Sequence, residues 1–425
     1  MTFRTPILRT PRTTICVVIA CLVVWALSSV HSLDFNVYRS GARAYLGLDG
    51  ETDLYVRELW RVTDDSWLPF TYPPFAVLLF IPYAIVPTQV GAVIHTLVLT
   101  MSMLAVLHLI LTRTPRAMSF LRSCSPWQHA LMVGGATLAV GFSGPWREGL
   151  SFGQINALLM AVILFDMLAR RRAGIPKGLL TGIAAGIKLT PLAMGLYFLV
   201  QRDWKSIAWM GLGFMGTVGV GFALTPSGSV HYWTEAIFAT SRVGNDADMY
   251  SVTLNSFSQH LGLSVAGSSY LWIGLCIVTI ALGYYAIKQL LEAGETVAAV
   301  GATAIVMLMI SPISWYHHWV WFILLIPAML FPSESPTRRG SRLSPTYACA
   351  YYIVFIFSSY SFSIAYFGSI RGTGPWWMEI LSSVWIFVSV FAVALLVTIT
   401  TRRGPATMVN SGSAAPVRVA PATDI

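Results

Sequence analysis

Residues 14–38 read TICVVIACLVVWALSSV-HSLDFNVY, an uncharged apolar run of 17 residues that gives way to a carboxylate set among aromatic side chains. An α-helix needs about 17–25 apolar residues to cross the hydrocarbon of a bilayer. The run follows Arg4, Arg9 and Arg12. A basic start and an apolar stretch also open signal peptides, but no small-residue cleavage site precedes the polar segment, so residues 14–30 are expected to stay as a first membrane helix.

Comparable runs recur along the chain, at 72–87, 89–112, 129–145, 151–169, 178–200, 204–224, 269–290, 296–311, 316–331, 346–367 and 378–400. Hydrophobic residues make up 56% of the 425 and charged residues 11%, with mean hydropathy +0.67. Soluble chains carry roughly a quarter charged residues. The expected fold is therefore an all-α integral membrane protein, a multi-spanning helical bundle of about 10–13 transmembrane helices. Two polar segments, 31–71 and 225–268, form long outer loops. The first holds seven of the eighteen carboxylates (Asp34, Asp49, Glu51, Asp53, Glu58, Asp64 and Asp65).

The net charge of +9 comes from basic residues gathered at the ends of runs, in Arg4–Arg12, Arg113–Arg122, Arg170–Lys177, Arg338–Arg342 and Arg402–Arg403. This is positive-inside patterning and not a nucleic-acid footprint. If every run crossed fully, Arg113–Arg122 and Arg170–Lys177 would face outward. They return to the cytoplasm if 72–87 re-enters after Tyr72-Pro73-Pro74 and 178–200 breaks near Lys188-Leu189-Thr190-Pro191, and such breaks are tolerated where they line a cavity. The organisation expected is a cytoplasmic segment 1–12, a membrane-embedded domain 13–400 and a disordered, Ala/Pro/Ser-rich cytoplasmic tail 401–425. No fixed-period repeat is visible. The five cysteines lack metal or disulfide spacing and read as packing residues.

Several polar residues interrupt this apolar background. Asp34, just outside the first helix, could act as a general base with tuned proton affinity, or could cap a helix starting at Phe35. Gly153-Gln154-Ile155-Asn156 sets two amides at a span end, where they could bind sugar hydroxyls or bridge helices. Lys188 is the only charged residue between Lys177 and Arg202. A phosphate would be a natural counter-ion for it, and a snorkelling lysine is the plainer reading. Ser311-Pro312-Ile313-Ser314-Trp315-Tyr316-His317-His318 breaks two apolar runs with a proline and two imidazoles. Adjacent helical histidines point about 100° apart and seldom chelate one metal. Asn255-Ser256-Phe257-Ser258-Gln259-His260 offers amides and hydroxyls among aromatics in the second loop. No Walker loop is present in the sequence, and no metal or cofactor is expected.

In this order and spacing, Asp34-Phe35-Asn36-Val37-Tyr38, Tyr72-Pro73-Pro74, Gly153-Gln154-Ile155-Asn156, Gly186-Ile187-Lys188-Leu189-Thr190-Pro191 and Ser311-Pro312-Ile313-Ser314-Trp315 resemble glycosyltransferase family 87. These are the actinobacterial polyprenyl-phosphate-mannose-dependent α-(1→2) mannosyltransferases of GT-C fold. The resemblance runs from Asp34 to about Trp321. It implies a plasma-membrane enzyme with its site on the outer, periplasmic side, a polyprenyl-phosphate-mannose donor and a mannosylated glycolipid acceptor (phosphatidylinositol mannoside, lipomannan or lipoarabinomannan). Asp34 would then be the base of an inverting transfer. Lys188 with His317 or His318 would hold the donor phosphate, while Gln154, Asn156, Asn255 and Trp315 would contact sugars. Two other readings compete with it: a transporter or flippase of a lipid-linked sugar, which needs no base, and a transferase using a polyprenyl-phosphate pentose.

Overall fold

A computed structural model describes residues 10–27, 32–50, 53–55, 59–63, 66–169, 174–244, 250–331, 346–355 and 384–401. Most of the 1–12 segment, the tail beyond Thr401, the cluster Arg338–Arg342 and parts of the two last apolar runs lie outside the described residues.

The first apolar run forms α1 (Pro11–Leu27). The polar segment after it is not a plain loop: it folds into α2 (Leu33–Tyr45) and a two-stranded antiparallel hairpin, β1 (Trp60–Thr63) with β2 (Ser66–Leu68). A 3-10 turn at Pro74–Ala76 then leads into the short α3 (Val77–Ala84). Pro74–Ala84 extends only about 16 Å at ~1.5 Å per residue, short of the ~30 Å hydrocarbon. Its C-terminal carbonyls are bound by two arginines of α2. Arg39 Nε donates to Tyr83 O at 3.1 Å, and Arg43 Nη1 donates to Ala84 O at 3.1 Å. Cations at a helix C-terminus satisfy orphan carbonyls and complement the dipole, which locks α2 against α3.

The long α4 (Thr88–Arg113) is followed by α5 (Pro115–Ser123), with one polar and one apolar face, and by α6 (Pro126–Phe142), which packs along α1. The run 151–169, expected as one span, is instead the second arm of an elbow. α7 (Gly144–Phe152) and α8 (Asn156–Leu168) meet at 116°, with the turn at Gly153–Ile155.

The run 178–200 is broken where the sequence suggests, into α9 (Leu179–Ile187), a 3-10 turn Thr190–Met194 and α10 (Gly195–Val200). Two devices hold α9. Asp166, buried in α8, accepts from Gly178 N at 2.9 Å, Thr181 N at 3.1 Å and Thr181 Oγ1 at 2.7 Å, and so caps α9 from a neighbouring helix. The second is a stripe of Gly178, Gly182 and Gly186 that lies against α11 (Trp204–Leu224). A Cβ on Gly182 would sit 2.1 Å from Met210 O, and one on Gly186 1.9 Å from Thr217 Oγ1. Small residues every fourth position let membrane helices approach to backbone contact.

The second polar segment holds α12 (Pro226–Thr234) and α13 (Leu254–Gln259). α14 (Val265–Glu292) lies on the outside and α15 (Thr296–Ile310) is buried from Val297 to Met309, at the centre of the main core. A 3-10 stretch Tyr316–Leu324, α16 (Ile326–Leu330), α17 (Thr346–Phe355) and α18 (Val384–Thr401) complete the described bundle. Among the described residues α4, α11 and α14 are long and apolar enough to cross a bilayer, and the α7–α8 elbow counts as a fourth span if taken as one. Seven further apolar helices have 10–17 residues. Met101, Leu131, Ile277 and Leu282 point outward with 63–64% of their surface exposed. An exterior of that kind needs lipid as its solvent, and the protein is a multi-spanning helical membrane protein.

Substituting Gly182→Val should force α9 away from α11 and destabilise the protein by about 1–3 kcal/mol, the usual cost of overpacking. Gly135→Ala, where nothing lies within 4 Å, serves as the control and should melt like wild type in a thermal unfolding series in detergent.

Candidate active site

The breaks in the apolar runs converge. The ends of α2, α7 and α9, the Tyr72-Pro73 turn and the Ser311–His318 segment surround a single cavity of about 870 Å³. Asp34, Gln154, Lys188, Trp315, His317 and His318 all line it, as does Glu148.

Asp34 does not cap α2. The helix starts at Leu33, two residues before Phe35, with Ser32 at the cap position and Asp34 in the first turn, where the helix dipole favours a carboxylate. Ser32 N donates to Ser151 O at 2.9 Å, which ties the start of α2 to the end of α7. Burial in the cavity wall lifts the Asp34 carboxyl above the ordinary aspartate range, while the nearby His317 and Lys188 charges and a hydrogen bond from Gln154 pull it down and Glu148 adds to the rise.

Gln154 is oriented by its own neighbours. Its Oε1 accepts from Tyr38 OH at 2.7 Å, Tyr72 OH at 3.1 Å and Ile155 N at 3.0 Å. Three donors on the oxygen leave the amide nitrogen to face His317 Nε2, 3.5 Å away, and Asp34. Asp34 and Tyr38 are four residues apart on α2, so one face of that helix supplies both groups.

Lys188 follows the last residue of α9 and reaches across to two partners. Its Nζ donates to Asn156 Oδ1 at 3.0 Å and to His318 Nε2 at 3.1 Å, and lies 5.7 Å from the centre of the Tyr72 ring. A charged ammonium has no acceptor, so His318 Nε2 must be the acceptor and its proton sits on Nδ1. Asn156 Nδ2 in turn contacts His317 O at 3.4 Å. Asn156 therefore stands behind the lysine and not in the cavity lining.

Asn255, expected to contact sugar, lies elsewhere. It is 3% exposed, and its amide donates to Pro312 O at 3.2 Å. With Val252 N to Ser314 O at 2.8 Å and Tyr316 N to Tyr250 O at 2.9 Å, it stitches the second polar segment to the Ser311–His318 turn. Its amide nitrogen is engaged by backbone, and the residue is not part of the cavity lining.

Three contributors were not singled out by the sequence. Glu148 reads as a charge in a gap between two runs; on α7 it is one turn from Phe152, and both line the cavity. Arg242, from the second polar segment, also lines the cavity and donates to Tyr55 O at 2.8 Å. His95 of α4 pairs its Nε2 with Gly153 O at 2.8 Å, supporting the elbow from behind. Among the described residues no three His, Cys, Asp or Glu side chains converge as a metal cluster.

Residues 70–312 match the model of glycosyltransferase family 87. The chain belongs to that family. This family 87 member is 30% identical over 402 residues, 92% of its own length and 91% of the relative's, to a Mycobacterium tuberculosis protein named polyprenol-phosphate-mannose-dependent alpha-(1-2)-phosphatidylinositol mannoside mannosyltransferase. A Mycolicibacterium smegmatis protein of the same name is 31% identical over 73% of the chain and 72% of the relative. Another from that organism, named for phosphatidylinositol pentamannoside, is 33% identical over 73% of the chain and 72% of the relative. Among solved structures, ArnT from Cupriavidus metallidurans is similar over 92% of the chain and 78% of ArnT, with 16% identity and a TM-score of 0.39.

Gly153 has φ +69°, and a Cβ there would meet Phe35 Cβ at 2.8 Å. Gly153→Ala in this family 87 glycosyltransferase should therefore combine left-handed strain with a clash that pushes α2 and Asp34 off the elbow. A stability loss of about 1–3 kcal/mol is expected by thermal melting.

Proposed function

We propose that this glycosyltransferase moves mannose from a polyprenyl-phosphate-mannose donor to the 2-hydroxyl of a phosphatidylinositol mannoside, in a site that opens to the outer side of the membrane. The observation that carries the reading is one cavity holding a carboxylate, Asp34, together with an anchored ammonium, Lys188. Relatives named for this reaction supply the donor and the acceptor class.

Asp34 takes the proton of the acceptor hydroxyl as its oxygen attacks the anomeric carbon. The bond from that carbon to the phosphate oxygen breaks, the electron pair leaves with polyprenyl phosphate, and a β-linked donor gives an α-linked product. Negative charge grows on the phosphate as it departs. A cation already held in place by protein groups stabilises that charge without reorganising, and Asn156 and His318 hold Lys188 in this way. Gln154 keeps Asp34 pointed at the acceptor, and Trp315 offers an apolar face to a sugar ring. Lipomannan and lipoarabinomannan share the same terminal mannoside chemistry and are further acceptors of the same class.

Asp34→Asn should lower transfer of labelled mannose from polyprenyl-phosphate-mannose to a phosphatidylinositol mannoside by at least ~100-fold, the lower range for general-base catalysis, with folding unchanged. Transfer at wild-type rate by the variant would remove Asp34 as the base. A transporter would still move a lipid-linked sugar with asparagine in that place and would show no transfer by the wild type.

The pH profile carries a second expectation. The base must be ionised, and burial raises its proton affinity, so kcat/KM should climb with pH through a limb above the ordinary aspartate value of ~3.9. Lys188→Met removes a charge that favours the carboxylate, so the residual activity of that variant should show its acid limb at higher pH than wild type. A limb that stays put or moves down would contradict the coupling.

A further inference from the structure

Two histidines stand side by side on the cavity wall, and their surroundings are not alike. The ring centroids are 4.8 Å apart and nearly perpendicular, so the two rings face different neighbours. His318 has its Nε2 committed to Lys188 at 3.1 Å. His317 has its Nδ1 3.7 Å from Glu148 Oε2, and its Nε2 lies 3.5 Å from Gln154 Nε2. Phe152 packs edge-on against the same ring at 5.4 Å and restricts its rotation.

Glu148 itself lacks an explanation within the transfer chemistry. It is a carboxylate in the wall of a cavity meant to receive a phosphate, and its Oε2 is shielded from solvent with no hydrogen-bond partner of its own. A bare negative charge there would repel the donor and would be costly to keep. Its position becomes reasonable if it acts through the imidazole. The other charged or titratable groups around His317 among the described residues are Asp34 of α2, Lys188 beyond α9 and His318 beside it, while Arg147 acts on the neighbouring Tyr316. Of these, Glu148 is the one that lies within 4 Å of the ring as an ion-pair partner.

We propose that Glu148 is a positioning residue that holds His317 as an imidazolium, with Nδ1–H on the Glu148 carboxylate and Nε2–H turned to an oxygen of the donor phosphate, while His318 serves Lys188 and does not touch the phosphate. This rests on the donor-phosphate reading above. Binding then brings one proton from solvent onto the ring; the phosphate takes the place of the weak 3.5 Å contact from Gln154 on Nε2. The site gains a second cation beside Lys188, and the pairing of Glu148 with the imidazolium offsets the repulsion that a lone carboxylate would impose.

The test exploits a sign that a simple charge effect would reverse. Undecaprenyl phosphate, a polyprenyl phosphate without sugar, is titrated into the full chain in nanodiscs from pH 5.5 to 8.5. Glu148→Gln removes a negative charge, yet it should weaken binding about tenfold or more at pH 8, as loss of a charge-assisted hydrogen bond does. The loss should shrink toward pH 5.5, as the supply of protons from solvent rises. The ligand's own titration is common to both proteins and drops out of the comparison. His317→Gln should show the same loss, and adding Glu148→Gln to it should cost nothing more.

Unchanged or tighter binding by Glu148→Gln at pH 8 overturns the proposal and leaves the donor-phosphate reading intact. If Glu148→Gln does not fold, unchanged binding by His317→Gln overturns it alone. Failure of the wild type to bind undecaprenyl phosphate at any pH in the range overturns the donor-phosphate reading, and this proposal falls with it.

Discussion

Lys188 carries an ammonium to the end of a half-helix inside an apolar bundle, and the partners that receive it come from two other breaks in the chain. Asn156 opens α8 just after the elbow, and His318 is the third residue of the 3-10 stretch that follows the proline at 312. A charge in low dielectric is retained only when it is paired or hydrogen-bonded. Meeting that requirement draws α8, α9 and the Ser311–His318 turn to one point, and the cavity is the space left between them. Asp34 and Gln154 are then placed by reference to the same point.

The rest of the bundle supports these breaks. A half-helix has four unsatisfied donors or acceptors at each broken end, and in a membrane no water meets them. Asp166 answers the start of α9, Arg39 and Arg43 answer the end of α3, and His95 answers the carbonyl of Gly153 at the elbow. Tight backbone contact between α9 and α11 adds van der Waals attraction where lipid offers no hydrophobic drive. Rigid half-helices of this kind hold side chains in place better than loops do, and the proposed stabilisation of a departing phosphate requires groups held in that way.

Much of the site was legible in the sequence because polar residues are expensive in an apolar run and therefore conspicuous. Asp34, Gln154, Lys188, Trp315, His317 and His318 stand out for that reason, and the cavity gathers all six. Glu148, Arg242 and His95 did not stand out. The first two lie in segments where charge is ordinary, and His95 is a single imidazole inside a long span. Asn255 shows the opposite case: an amide in a polar segment looks available, and its hydrogen bond to Pro312 O was invisible without the fold.

By itself the sequence determined the solvent, the helical class, the family and the break near Lys188, because hydropathy and proline act locally and leave a linear record. The tertiary structure alone decided that α7 and α8 form an elbow, that the described part of the polar segment after the first helix holds a helix and two paired strands, and which imidazole faces which charge. Those outcomes depend on angles between elements and on which of two ring nitrogens meets a partner from another helix. Such relations arise only when separate elements, such as those carrying Lys188 and His318, are brought within hydrogen-bond distance.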